Sequence, residues 1–103
     1  MATIVVVFDD PKATSEQYDQ IMQELEATGA GSPAGRLCHV SAPTAGGWYA
    51  VDVWESAEHF NRFAQTLMPL LQKRGVGVQP QVYPCHNLIM REALNVKSRS
   101  VGS

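Results

Sequence analysis

"CHVSAPTAGGWYAVDVWES", Cys38 to Ser56, is the stretch on which the architecture turns. "RLCHVSA", from Arg36, and "GWYAVDVW", from Gly47, both have the β-branched and aromatic make-up of strands. Between them "PTAG" carries turn chemistry, so the two runs read as a hairpin with Pro43 to Gly46 as its turn. Ser56 then offers an N-cap for a helix.

Working outward, "TIVVVFDD" (3–10) is a short β-branched run that reads as a buried strand, broken by Pro11. Thr14 and Gln17 make a capping-box pattern, followed by a helical stripe of Tyr18, Ile21, Met22 and Leu25. "TGAGSPAG" (28–35) ends that helix. The helix after Ser56 has the stripe Phe60, Phe63, Ala64, Leu67 and Leu71, and Pro69 predicts a kink or restart near Leu67. "QVYPCHNLI" (81–89) reads as a fourth strand, with Pro84 placing it at an edge or bulge. The order is β-α-β-β-α-β, an α+β domain of the ferredoxin-like kind with an antiparallel sheet, spanning residues 1–90. Residues 91–103 read as a C-terminal tail, loose or laid on a partner.

Helices on one side of a sheet leave the other side to meet water or a second sheet. Strand alternation separates the two sides. Tyr49, Val51 and Val53 form a smooth apolar set suited to packing under helices. Trp48, Ala50, Asp52 and Trp54 form the other, with His39 opposite Ala50 and Asp52 diagonally within its reach. Two indoles on an open face imply an interface or a ligand site. The expectation is a homodimer whose facing sheets enclose a mixed cavity, with Asp52 needing a buried partner such as an imidazole.

The totals agree with one domain. The chain has 103 residues, 45% hydrophobic and 17% charged, with a formal net charge of −2. A domain of this size buries roughly 60–70% of its unfolded surface, so a partner subunit adds noticeably to its stability. Without a basic patch, nucleic acid and anionic membrane are poor partners. Cys38 and Cys85 make no CxxC pair and read as buried free thiols, as in a reducing cytoplasm. No run is long enough for a membrane helix and no export signal opens the chain, so a cytoplasmic protein is expected.

From Thr3 to Ile89 the element order, with the strand-to-helix passage "DVWESAEHF", resembles the dimeric α+β barrel superfamily, and within it the antibiotic-biosynthesis monooxygenase-like branch. That branch often has a carboxylate, any residue, then Trp at this place, so Trp54 matches its pocket-facing Trp. The superfamily includes cofactor-independent oxygenases of polycyclic phenols, haem-degrading enzymes, polyketide cyclases and muconolactone isomerase-like enzymes. The haem-degrading pattern has an Asn in the first strand, where "TIVVVF" has none. The resemblance implies a homodimer acting on a hydrophobic aromatic or polyketide-like molecule, by oxygenation without cofactor or by proton-transfer chemistry. Fold alone does not fix function, and a non-catalytic ligand-binding or stress-related dimer fits the same cavity.

Each candidate residue has a structural alternative. His39 is suited to acid–base work near neutral pH, or to a supporting hydrogen bond in the hairpin or dimer. Asp52 is suited to orienting His39, or to a plain ion pair. Trp48 and Trp54 suit stacking on a planar ligand, or filling a dimer core. His86 and Asn87 are adjacent in a strand, so one of them faces the cavity, His86 as a second catalytic imidazole or Asn87 as a substrate contact; a strand-end hydrogen bond is the alternative. His59 sits off its helix's apolar stripe and reads as solvated. His39, His86 and Asp52 lack metal-ligand spacing, and no phosphate loop, dinucleotide fingerprint or nucleophile elbow is present, so no metal or cofactor is expected.

Overall fold

The computed structural model describes residues 2–91. Strand β1 (Ile4–Asp10) ends where the Asp10 carboxylate accepts from the backbone N–H of Lys12 and Ala13, at 2.8 and 3.2 Å, turning the chain toward helix α1 (Ser15–Ala27). There Thr14 Oγ1 accepts from Gln17 N at 3.1 Å, and Gln17 Oε1 accepts from Thr14 N at 3.0 Å, which closes the expected capping box. The amide of Gln17 reaches further and donates to the Arg74 carbonyl at 2.9 Å, tying the start of α1 to the end of α2 (Ala57–Lys73). Ser56 caps α2, and Gly75 leaves it at φ +77°, a left-handed step that favours glycine. Pro69 lies inside α2, which is one continuous helix.

The hairpin strands are β2 (Arg36–Thr44) and β3 (Gly47–Trp54), and β4 (Gln81–Pro84) follows α2. The sheet runs β2-β3-β1-β4 with every pair antiparallel. This is the ferredoxin-like α+β arrangement expected from the element order. Helices α1 and α2 cover one face, where Ile21, Leu25, Phe60, Phe63, Leu67 and Leu71 pack on Ile4, Val6 and Trp54. Trp54 is fully buried, its ring against Phe60 and Phe63 at centroid distances of 5.7 and 5.3 Å.

Four expectations are corrected. The helices cover the Trp48, Ala50, Asp52 and Trp54 side of β3, and Tyr49, Val51 and Val53 turn away. Phe60 and Phe63 supply the aromatic surface that Trp54 buries against, so the larger set went inward. The hairpin turn is Ala45–Gly46, not Pro43–Gly46, with Gly46 at φ +83°. That tighter turn pairs His39 directly with Asp52 rather than with Ala50, and a bulge at Leu37 shifts the register only beyond Cys38. Finally, β4 stops at Pro84. Its partner β1 begins at Ile4, and after the Cys85 N–H bonds the Thr3 carbonyl at 2.9 Å the chain has no strand to pair with. Cys38 and Cys85 are unpaired and half-buried. Apart from Arg91, the expected tail lies outside the described residues.

Candidate functional site

The inward turn of the Trp/Asp side of β3 moves the cavity. It lies within the single chain, between the sheet and the two helices, with a volume of about 70 Å³. Phe8, Ile21, Met22, Ala50, Phe63 and Leu67 make much of its wall, and Tyr18, His39, Trp48 and Asp52 bring polar atoms to it. A mostly apolar hollow with a few convergent polar groups is the usual form of a small-molecule site.

Those polar groups form a chain. Asp52 is almost fully buried at the centre of β3, and its Oδ1 lies 2.5 Å from His39 Nδ1 on β2. Its Oδ2 accepts from Trp54 Nε1 at 3.3 Å. His39 Nε2 lies 2.7 Å from the Tyr18 hydroxyl on α1. A carboxylate can only accept, so Nδ1 carries a proton. In neutral imidazole that leaves Nε2 as the acceptor, and Tyr18 donates to it. The relay therefore has a direction: Tyr18 O–H to His39, and His39 N–H to Asp52. Burial raises the Tyr18 pKa above the ordinary phenol value, and a hydrogen bond with Ser41 partly offsets this. Tyr18 is thus a protonated hydroxyl at rest. Its ring lies parallel to His39 at 6.0 Å and against Trp48 at 5.0 Å.

The expected residues divide. His39, Asp52 and Trp48 meet at the cavity wall. Trp54 does not line it, and stands behind it as core and as hydrogen-bond donor to Asp52. His86 and Asn87 follow β4, are exposed, and take no part in the wall, because the ladder that would have aimed one of them inward ends before them. Among the described residues, no three of the His, Cys, Asp and Glu side chains gather into a metal-ligand set. His59 is half-buried, its Nδ1 lying 2.7 Å from Ser56 Oγ, and so is not the solvated side chain expected. Tyr18 is the site residue that sequence reading missed. It was absorbed into the apolar stripe of α1, although a tyrosine hydroxyl on a buried stripe needs a partner, and that was the available signal. Arg36 also lines the cavity, stacked over Phe63 at 5.8 Å and donating to the Gly31 carbonyl.

No protein-family model matches the chain, and no curated protein matches it in sequence. Solved structures match it in shape. An antibiotic biosynthesis monooxygenase-like protein from Chloroflexus aurantiacus is 15% identical, covering 86% of this chain and 98% of its own, at a TM-score of 0.59. SnoaB, a cofactor-independent oxygenase from Streptomyces nogalater, is 13% identical over 87% of this chain and 97% of its own, at 0.56. A conserved protein from Methanosarcina mazei is 13% identical over 82% and 93%, also at 0.56. The chain has the fold of the antibiotic biosynthesis monooxygenase-like proteins.

Proposed function

We propose that this chain is a small-molecule enzyme that moves a proton on a hydrophobic, ring-bearing substrate held between its sheet and helices. The observation that carries this reading is the Asp52–His39–Tyr18 hydrogen-bond chain opening on an apolar cavity. Tyr18 Oη meets the substrate, accepts its proton and passes its own to His39 Nε2. Asp52 holds the imidazole in the accepting tautomer and stabilises the imidazolium that forms. A carbon acid deprotonated this way becomes an electron-rich anion. It can be reprotonated elsewhere, as in isomerisation or cyclisation, or it can reduce O₂ itself. In oxygenation of a CH₂ to a carbonyl, one oxygen atom stays on carbon and the other leaves as water, so the substrate supplies all the electrons. The shared fold with a cofactor-independent oxygenase supports the oxygenation branch.

A second copy of the chain covers the open sheet face in this reading. That face carries Val40, Tyr49 and Tyr83, which are 61%, 38% and 49% exposed, in a patch larger than a lone valine would explain. Unpaired thiols at Cys38 and Cys85 fit a reducing cytoplasm.

The test is proton exchange in D₂O, followed by NMR on a panel of aryl ketones, phenols and 1,3-diketones, with O₂ uptake measured in parallel. Wild-type protein should speed exchange at an acidic C–H. Tyr18→Phe and His39→Gln should each lower that rate by about 10²–10⁴-fold while ligand affinity holds. Binding without any exchange above buffer would leave a non-catalytic ligand carrier.

A further inference from the structure

Among the described residues, Arg36 brings the only permanent positive charge to the cavity wall, and its side chain is half-buried. Two contacts fix its place. Nη2 donates to the Gly31 carbonyl at 3.0 Å, and Cζ lies 5.8 Å from the ring centroid of Phe63, itself part of the wall. A guanidinium carries five N–H donors in a planar fork and keeps its charge at any ordinary pH. Among the described residues only that one carbonyl accepts from it, and no carboxylate lies within ion-pair distance. Lys73 and Arg74 offer the contrast, since they share Glu24. The two carboxylates of the wall serve other donors: Asp52 takes His39 and Trp54, and Asp10 takes the backbone N–H of Lys12 and Ala13. A charge drawn partly out of water without a counter-charge is costly. The guanidinium also acts on the same hollow as the relay. Burial raises the Tyr18 pKa, and the positive field of Arg36 offsets part of that rise.

We propose that Arg36 is the counter-ion for a carboxylate carried by the ligand, so that the cavity takes a ring-bearing monocarboxylate in preference to a neutral molecule. This rests on the small-molecule reading above and adds the charge of what enters. The flat fork of a guanidinium matches the two oxygens of a carboxylate through parallel N–H···O bonds, and with one Nη2 hydrogen on Gly31 the other donors remain for it. The rest of the wall is mostly apolar, which suits the ring. A neutral ligand would strip water from the guanidinium and return no charge, so the desolvation of Arg36 counts against it. A carboxylate returns that charge where the surroundings are apolar, and there the attraction is stronger than at an open surface. One cation balances one negative charge. A dianion would bring a second beside Asp52, with nothing to offset it.

The experiment uses the full chain labelled with ¹⁵N and two probes of nearly equal shape, benzoate and nitrobenzene, the first an anion and the second neutral. Each is titrated at neutral pH while the cavity-lining amides and the Arg36 Nε–H signal are followed. The expected result is that both probes move the amides, only benzoate moves the Arg36 signal downfield, and benzoate binds about tenfold more tightly, the worth of a charge-assisted hydrogen bond. Arg36→Gln should abolish that preference, and Arg36→Lys should keep part of it. If the two probes bind equally, the cavity stands and the carboxylate anchor is overturned. It is overturned also if nitrobenzene enters and benzoate does not, or if benzoate moves only residues outside the cavity. If neither probe perturbs the cavity amides, the ligand site itself fails and the anchor with it. Binding is read without turnover, so failure of the proton-transfer chemistry would leave a positive result standing. The wild-type comparison decides the matter even if the Arg36→Gln variant does not fold.

Discussion

Asp52 serves two donors at once, Nδ1 of His39 through one oxygen and Nε1 of Trp54 through the other. Asparagine there keeps the volume but has one acceptor where the aspartate has two. Its NH₂ faces the imidazole, flips the tautomer, and leaves His39 Nε2 donating toward Tyr18. Asp52→Asn should therefore cost about 1–3 kcal/mol in urea unfolding, yet cut proton exchange by about 10²–10⁴-fold. The relay's outer end gives a second prediction. Burial raises the Tyr18 pKa, so its contribution to stability is in place below the ordinary phenol range. It is lost as pH climbs through the raised folded value. Ultraviolet titration of the folded protein should show a late-ionising phenol that is missing in Tyr18→Phe. That His39 and Asp52 share a face within reach of each other was legible from strand spacing, but their direct pairing was not, because it depends on the length of the turn. Tyr18 was not, because its place in the α1 stripe already accounted for it and the strand it would meet was unknown.

Among the elements, the helix caps were the most legible features, whereas Pro69, expected to interrupt α2, lies inside one continuous helix. Thr14, Gln17 and Ser56 bound the helices by local hydrogen bonds, which a sequence carries within a few residues. The side of β3 that faces the helices was not local information. Both of its faces are apolar enough to be buried, and the decision lies with Phe60 and Phe63, some residues further on. The length of β4 is likewise set by its partner, since a strand extends only as far as there is a neighbour to bond. The helices are joined by Glu24 of α1, which takes Lys73 Nζ at 2.9 Å and Arg74 Nε at 3.0 Å from the end of α2. These hydrogen bonds lower the Glu24 pKa. Such a depressed carboxyl stabilises the fold above its unfolded pKa, and the gain is lost as pH falls through the folded value. Glu24→Gln should accordingly lower the melting temperature at neutral pH. The gap between variant and wild type should close in acid and shrink with added salt, because the pair is at the surface.

For the whole molecule, the cavity and the open face lie on opposite sides of one four-stranded sheet. Val40 pairs with Val51, and Val51 with Val7, which makes a row of valines across the open face. A charge at its centre should prevent a second sheet from packing there. Val40→Lys is expected to turn a dimer into a monomer in analytical ultracentrifugation while circular dichroism is unchanged; a wild-type protein that sediments as a monomer would sink the covered-face reading. Chain length pointed to an oligomer in sequence, but the enclosing of the cavity by the chain's own helices depended on the direction β3 faces. That division gives the hairpin a use in directed evolution. Along β3 the even-numbered positions 48, 50 and 52 line the cavity, and the odd-numbered positions 49, 51 and 53 lie on the opposite face, which the proposed reading gives to a second copy. Under the proposed function, a library randomised at the first set would explore substrate preference with the quaternary structure held constant, and one randomised at the second would do the reverse.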